Sequence, residues 1–317
     1  MRVLFSRRGF VRIPIMTMTT WLVATVLAAS ASAAPSSDAS FFSAAAGVRD
    51  SMSAAFKTAS WNEVDTLLDL LRDSDPAVRR QAVRSLKAWV AQRSSTRDRV
   101  LDVYRDSSED LSVRREAAKT LSVVSGNSEI YQALLDYARR GSDAGLRAIS
   151  YKSLYWMVAQ RSDVRDDVLD AARRESDPSV RLAAIWALFG ANDSRVKDQL
   201  LDIARRDSSE AARVEALKSS YGLMGYSDVR DAAYDLARNT GTPASVRKAA
   251  ILLHSNRVTS SQKDLLEEIA TRDREPAMRA AAIIALGNPR SEELTGFFHL
   301  VRRDNNGVMV SDPLDAE

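Results

Sequence analysis

Seven arginines recur along this chain at nearly fixed intervals. They are Arg79, Arg114, Arg147, Arg181, Arg213, Arg247 and Arg279, spaced 35, 33, 34, 32, 34 and 32 residues apart. Each falls just inside the start of an expected helix. A period of this size marks a stacked array of helical hairpins, because one short helix pair cannot bury its own apolar face and must lean on copies of itself. Glycine is scarce, at 12 of 317 residues, and no alternating run reads as a strand. The expected fold class is all-α, an α-solenoid of stacked antiparallel helix pairs.

Local chemistry supports the helix starts. Asp75-Pro76, Asp177-Pro178, Thr242-Pro243 and Glu275-Pro276 each stand a few residues before a repeat arginine. The acid or threonine is an N-cap acceptor for free backbone N–H groups, and proline at the first helical position loses no hydrogen bond. Asp110, Asp143 and Glu210 open the equivalent helices of repeats two, three and five without proline, so less sharp turns are expected there. First helices carry a second phrase in the same period: Leu101-Asp102, Leu135-Asp136, Leu169-Asp170, Leu201-Asp202 and Tyr234-Asp235, with Glu268 in register later. Those acids read as helix-surface pairing groups.

These paired phrases resemble the HEAT-repeat family, in the bacterial HEAT-like or PBS-lyase-type variety whose second helices open with Asp-Pro-x-Val-Arg. The resemblance implies a solenoid of about seven repeats plus a terminal helix over residues 61–303, with second helices lining the concave face. It also implies that the arginine row is a structural ladder, each guanidinium bonding to an acid or carbonyl in the neighbouring turn. An anion-binding stripe is the alternative for the same row. Before the array, residues 35–60 include Phe41, Phe42, Ala45, Val48, Met52 and Phe56 at helical spacing, which reads as a capping helix. Residues 304–317 read as a loose tail.

Residues 1–34 read as a signal peptide. Arg2, Arg7, Arg8 and Arg12 form a basic start, Ile13 to Ala29 is mostly apolar, and Ala31-Ser32-Ala33 supplies small residues for cleavage. Ser6-Arg7-Arg8-Gly9-Phe10 resembles the twin-arginine export motif, so either that route or the general secretory route is open. The expected location is periplasmic or secreted. The whole chain holds 45 Lys and Arg against 42 Asp and Glu; without the four signal arginines the count is 41 against 42, a net charge of −1. A nearly neutral exported chain has no global electrostatic reason to bind nucleic acid. Cysteine is absent, so stability rests on buried apolar area rather than disulfides.

Catalytic and metal-ligating patterns are lacking. Histidine occurs only as His254, at a core-facing repeat position, and His299, and neither has a His partner at i, i+4 or a neighbouring Glu. No catalytic residue, metal site or cofactor is expected. Within the resemblance, deoxyhypusine hydroxylases hold iron with His-Glu pairs that this sequence does not contain. Bilin lyases and DNA glycosylases of HEAT-like build supply the competing reading, an enzyme using the same groove. The first reading is a non-catalytic scaffold for a protein, peptide or anionic envelope polymer.

Helical phase points to a binding face. In second helices Val78, Ala82, Leu86 and Trp89 cluster on one side while Arg80, Arg84 and Lys87 point the opposite way. The outward register continues through Arg115 and Lys119, then Lys152 and Tyr155, then Leu182, Trp186 and Phe189, then Lys218 and Tyr221. Leu182, Trp186 and Phe189 are expected as solvent-facing apolar anchors, with Tyr155 and Tyr221 as rim aromatics. Arg84, Lys119, Lys152 and Lys218 are expected to meet anionic groups. Alternatively, tight curvature presses these second helices together and buries the rings among themselves.

Overall fold

The computed structural model describes residues 61–256 and 259–287, together with 294, 297 and 298. The signal segment, the expected capping helix, His299, the tail and most of the expected terminal helix lie outside the described residues. Those described contain helices and turns and no strand.

The first three hairpins are α1 (Trp61–Leu70) with α2 (Pro76–Ser85), α3 (Ser94–Arg105) with α4 (Leu111–Leu121), and α5 (Ser128–Arg140) with α6 (Ala144–Ser153). A short helix, α7 (Tyr155–Gln160), follows the third. The fourth and fifth are α8 (Ser162–Arg174) with α9 (Pro178–Ala187) and α10 (Ser194–Arg206) with α11 (Glu210–Ser219). The sixth is α12 (Ser227–Arg238) with α13 (Ala244–Leu253), and the seventh α14 (Ser260–Arg272) with α15 (Pro276–Leu286). This is an α-solenoid arrangement, each hairpin packed on the next.

Capping follows the sequence at most of the second helices. Asp75, Asp110, Asp143, Asp177 and Ser209 each accept a hydrogen bond from a first-turn backbone N–H. Each such cap stabilises by about 1 kcal/mol. All three hairpins without proline are capped in this way, so their expected softer turns have no counterpart in the caps. Two expected acceptors fail: Glu275 caps α15 without a side-chain bond, and Pro243 rather than Thr242 occupies the cap of α13. Glu275 carries one more methylene than Asp, which carries its carboxylate past the first-turn N–H groups. Proline has no side-chain acceptor.

First helices are amphipathic. In α10, Val196, Leu200, Ile203 and Ala204 are buried at i, i+4, i+7 and i+8, while Asp202, Arg205 and Arg206 face water. Second helices are buried over more of their circumference, because each packs on its own first helix and on the second helices before and after it. First helices touch their counterparts only sparingly. The second helices thus form a tight inner layer and the first helices a splayed outer one.

The repeat arginine sets the register of that inner layer. Four residues after it stand Val83, Ala118, Tyr151, Ile185, Leu217 and Ile251, all buried. Seven residues after it stand Leu86, Leu121, Leu154 and Leu188, also buried, and then Ser220 and His254 in the fifth and sixth hairpins. A buried leucine stabilises by about 1.5–3 kcal/mol. The two polar replacements interrupt an otherwise apolar row.

Candidate functional site

The repeat arginines hold the hairpins to one another. Their Nε atoms donate to last-turn carbonyls of first helices: Arg114 to Tyr104 at 3.0 Å, Arg147 to Ala138 at 3.0 Å, Arg213 to Ala204 at 2.9 Å and Arg247 to Ala237 at 2.8 Å. Those carbonyls have no intrahelical partner, and a cation there also meets the negative end of the helix dipole. In four hairpins the repeat arginine also reaches an acid in the next hairpin. Arg79 forks onto Glu109 at 2.9 and 2.6 Å, Arg181 forks onto Asp207 at 2.7 and 3.0 Å, and Arg147 and Arg247 bond Glu175 and Asp273. Arg279 donates to the Asp273 carbonyl at 2.8 Å. The Arg247 hydrogen bond holds Asp273 below the usual carboxylate range.

A second ladder runs in the same period, between successive second helices. Thr120 Oγ1 donates to the Val83 carbonyl at 3.3 Å, Ser153 Oγ to Ala118 at 3.1 Å and Ser219 Oγ to Ile185 at 3.1 Å. Each hydroxyl is the sixth residue after a repeat arginine, and each acceptor the fourth after the arginine before. The sequence carried this signal at the spacing already in use. It passes unnoticed because serine and threonine in a helix usually bond their own backbone.

The expected anchor Trp186 is buried, at 3% exposure, and this corrects its assignment as a solvent-facing contact. Its neighbours on the previous hairpin cover it: the Tyr155 ring lies edge-on at 5.6 Å between centroids, and the Lys152 ammonium sits 5.6 Å from the Trp186 ring centre. Close packing of α6 on α9 brings these groups together. Leu182 and Phe189 are half-buried, so the fourth hairpin presents no aromatic anchor to solvent. Tyr221 is half-buried against Phe298, 4.5 Å between ring centroids, and Lys218 lies 4.9 Å from the Phe297 ring and 3.9 Å from Glu215. The cations Lys152 and Lys218 are thus engaged by rings of the array itself.

The early hairpins differ. Arg80 and Arg84 on α2 are exposed, and Lys119 on α4 is half-exposed. Trp156 on α7 is 55% exposed and Val123, in the turn after α4, is 47% exposed. Trp156 escaped the sequence reading because the outward register was followed only to the eighth residue after each repeat arginine, and Trp156 is the ninth.

On the outer layer, a cleft of about 510 Å³ lies between α8 and α10, lined by Asp166, Asp170, Asp198, Asp202, Arg173, Arg195, Gln199 and Leu169. Its charges pair locally, as in Arg195 with Asp166 at 2.8 Å, Asp170 with Arg174 at 3.2 Å and Asp202 with Arg206 at 3.3 Å. Among the described residues, no group of three or more His, Cys, Asp or Glu side chains is arranged to hold a metal ion, and no helix is long and apolar enough to cross a membrane.

Residues 64–155 match the family model for HEAT repeats. This stretch of the chain is built of HEAT repeats. Hairpins beyond the matched residues keep the same arginine register, so the array of helical hairpins continues through α15. No curated protein matches the sequence. Similar solved structures include the CpcE–CpcF complex of phycocyanin lyase from Nostoc sp. PCC7120, at 15% identity over 75% of this chain and 92% of that one, with a TM-score of 0.41. Human deoxyhypusine hydroxylase in complex with glycerol is similar at 18% identity, over 72% of this chain and 84% of that one, TM-score 0.35. The Mot1 N-terminal domain in complex with TBP is similar at 15% identity, over 95% of this chain and 44% of that one, TM-score 0.47.

Proposed function

We propose that this HEAT array is a non-catalytic docking module, exported from the cytoplasm, that holds a segment of another protein against the inner faces of its second helices. Stacked helical repeats make extended surfaces of this kind. The observation that carries the reading is the contrast within the basic register. Lys152 and Lys218 are engaged by the array's own rings, whereas Arg80 and Arg84 are exposed and form no ion pair among the described residues. Among the described residues nothing pairs with those two arginines, and a desolvated carboxylate from a partner is a fitting counterpart. With the signal removed, the chain's charge of −1 leaves this local patch, rather than any global field, to attract the partner.

The test is affinity capture from an envelope fraction with the full chain and with Arg80→Glu/Arg84→Glu. Both positions are on the surface, so the fold is expected to survive. The expected result is a defined protein retained by the unmodified chain and lost from the double variant. Equal retention by both places the partner elsewhere and contradicts the reading.

A further inference from the structure

Three exposed apolar side chains of the early hairpins share one register, while Leu111 at the start of α4 lies outside it. Counted from the repeat arginines, Ala88, Val123 and Trp156 are each the ninth residue, and all three are exposed. The fifth residue in the same three hairpins is Arg84, Lys119 or Lys152. Four residues along a helical path is about one turn, so each hairpin sets a cation beside an apolar contact on the same side. In the fourth and fifth hairpins the ninth residue is Gly190 or Gly222, and the apolar row ends. The strip is three hairpins long.

Its geometry is fixed from beneath. Leu86, Leu121 and Leu154, two residues before the apolar row, are fully buried in all three hairpins. Met157 and Val158 are buried directly after Trp156, so α7 is anchored on both flanks while the indole faces water. Large side chains held outward on a rigid support are what binding surfaces offer, since little ordering remains to be done on association.

We infer that this strip binds an extended acidic segment of a partner protein, its apolar side chains meeting Val123 and Trp156 and its carboxylates meeting Arg84 and Lys119. Charge complementarity selects the occupant. Arg80, Arg84 and Lys119 form no ion pair among the described residues, and the one acid nearby in the outward part of α4 is the half-buried Glu116. Lys152 contributes less, since its ammonium sits over the Trp186 ring. Single-stranded nucleic acid fits less well, because bases stack on aromatic rings and the strip offers one ring beside valine and alanine. Packed helices stand about 9 Å apart and a polyproline II chain advances about 3.1 Å per residue with three residues per turn, so a crossing peptide turns the same face to successive hairpins at every third position.

The inference rests on the docking reading above and narrows it. The probe is a fluorescein-labelled peptide of three glutamate–leucine–serine triplets, titrated with the full chain and followed by anisotropy. Binding is expected to weaken tenfold or more in Trp156→Ser and in Arg84→Glu/Lys119→Glu. A lysine–leucine–serine peptide is expected to bind the charge-reversed variant better than it binds the unmodified chain. Absence of peptide binding, equal binding by both variants, or tighter Trp156-dependent binding of oligothymidylate would each overturn the assignment. Capture from the envelope that is lost in Arg80→Glu/Arg84→Glu but kept in Trp156→Ser would retain the docking module and remove this strip as its contact.

Discussion

His254 shows how one residue sets a local weakness. It stands in the row that holds Leu86, Leu121, Leu154 and Leu188, is fully buried, and neither ring nitrogen has a well-formed hydrogen bond among the described residues. Burial pushes its pKa down to about 4, only partly offset by the nearby Ala233 carbonyl. An unfolded histidine titrates near 6.5, so the neutral ring is favoured in the fold. Its stabilising share is fully present above about pH 6.5 and is lost as pH falls towards 4, on the order of 3 kcal/mol in all. His254→Leu is expected to raise the melting temperature and to flatten its fall between pH 7 and 5. Parallel melting curves for the two chains across that window would rule the effect out. The core position of His254 was legible in the sequence from the period alone. Its lack of partners was not, because hydrogen bonding depends on how α12 and α13 meet.

At the scale of the helix pair, the arginine ladder joins four of the hairpins to the next. Arg247 and Asp273 form its most buried link, with side-chain exposures of 4% and 7%. Removing one member of such a pair leaves an uncompensated buried charge, which costs about 3–5 kcal/mol. Arg247→Ala is therefore expected to expose the α14–α15 hairpin to limited proteolysis well before the earlier hairpins. Cleavage that begins elsewhere, or a chain as resistant as the original, would show that this link is dispensable. The period gave the ladder's arginines directly, since a residue repeating every 32 to 35 positions must meet equivalent surroundings. The fate of Trp186 was hidden for a related reason. Phase assigns a residue to a side of its own helix, whereas burial depends on how closely the neighbouring second helices approach.

Across the array, the fold class followed from periodicity, and exposure along the outward register followed only in part. The outward register identifies Arg80, Arg84 and Lys119 as accessible cations, which the structure places at or near the surface. It also pointed to the fourth hairpin as the centre of contact, and Tyr155 and Lys152 packed against Trp186 take that ring out of the exposed surface. The cause is the tight inner layer: the helices whose faces should be wettest are those pressed closest together. Inner and outer layers make opposite demands on a partner, so a photo-crosslinking side chain placed in turn at Lys119 and at Asp170 distinguishes them most directly. The docking account predicts a covalent adduct with a defined envelope protein from position 119 and none from position 170. An adduct from position 170 alone, or the same adducts from both, would contradict it.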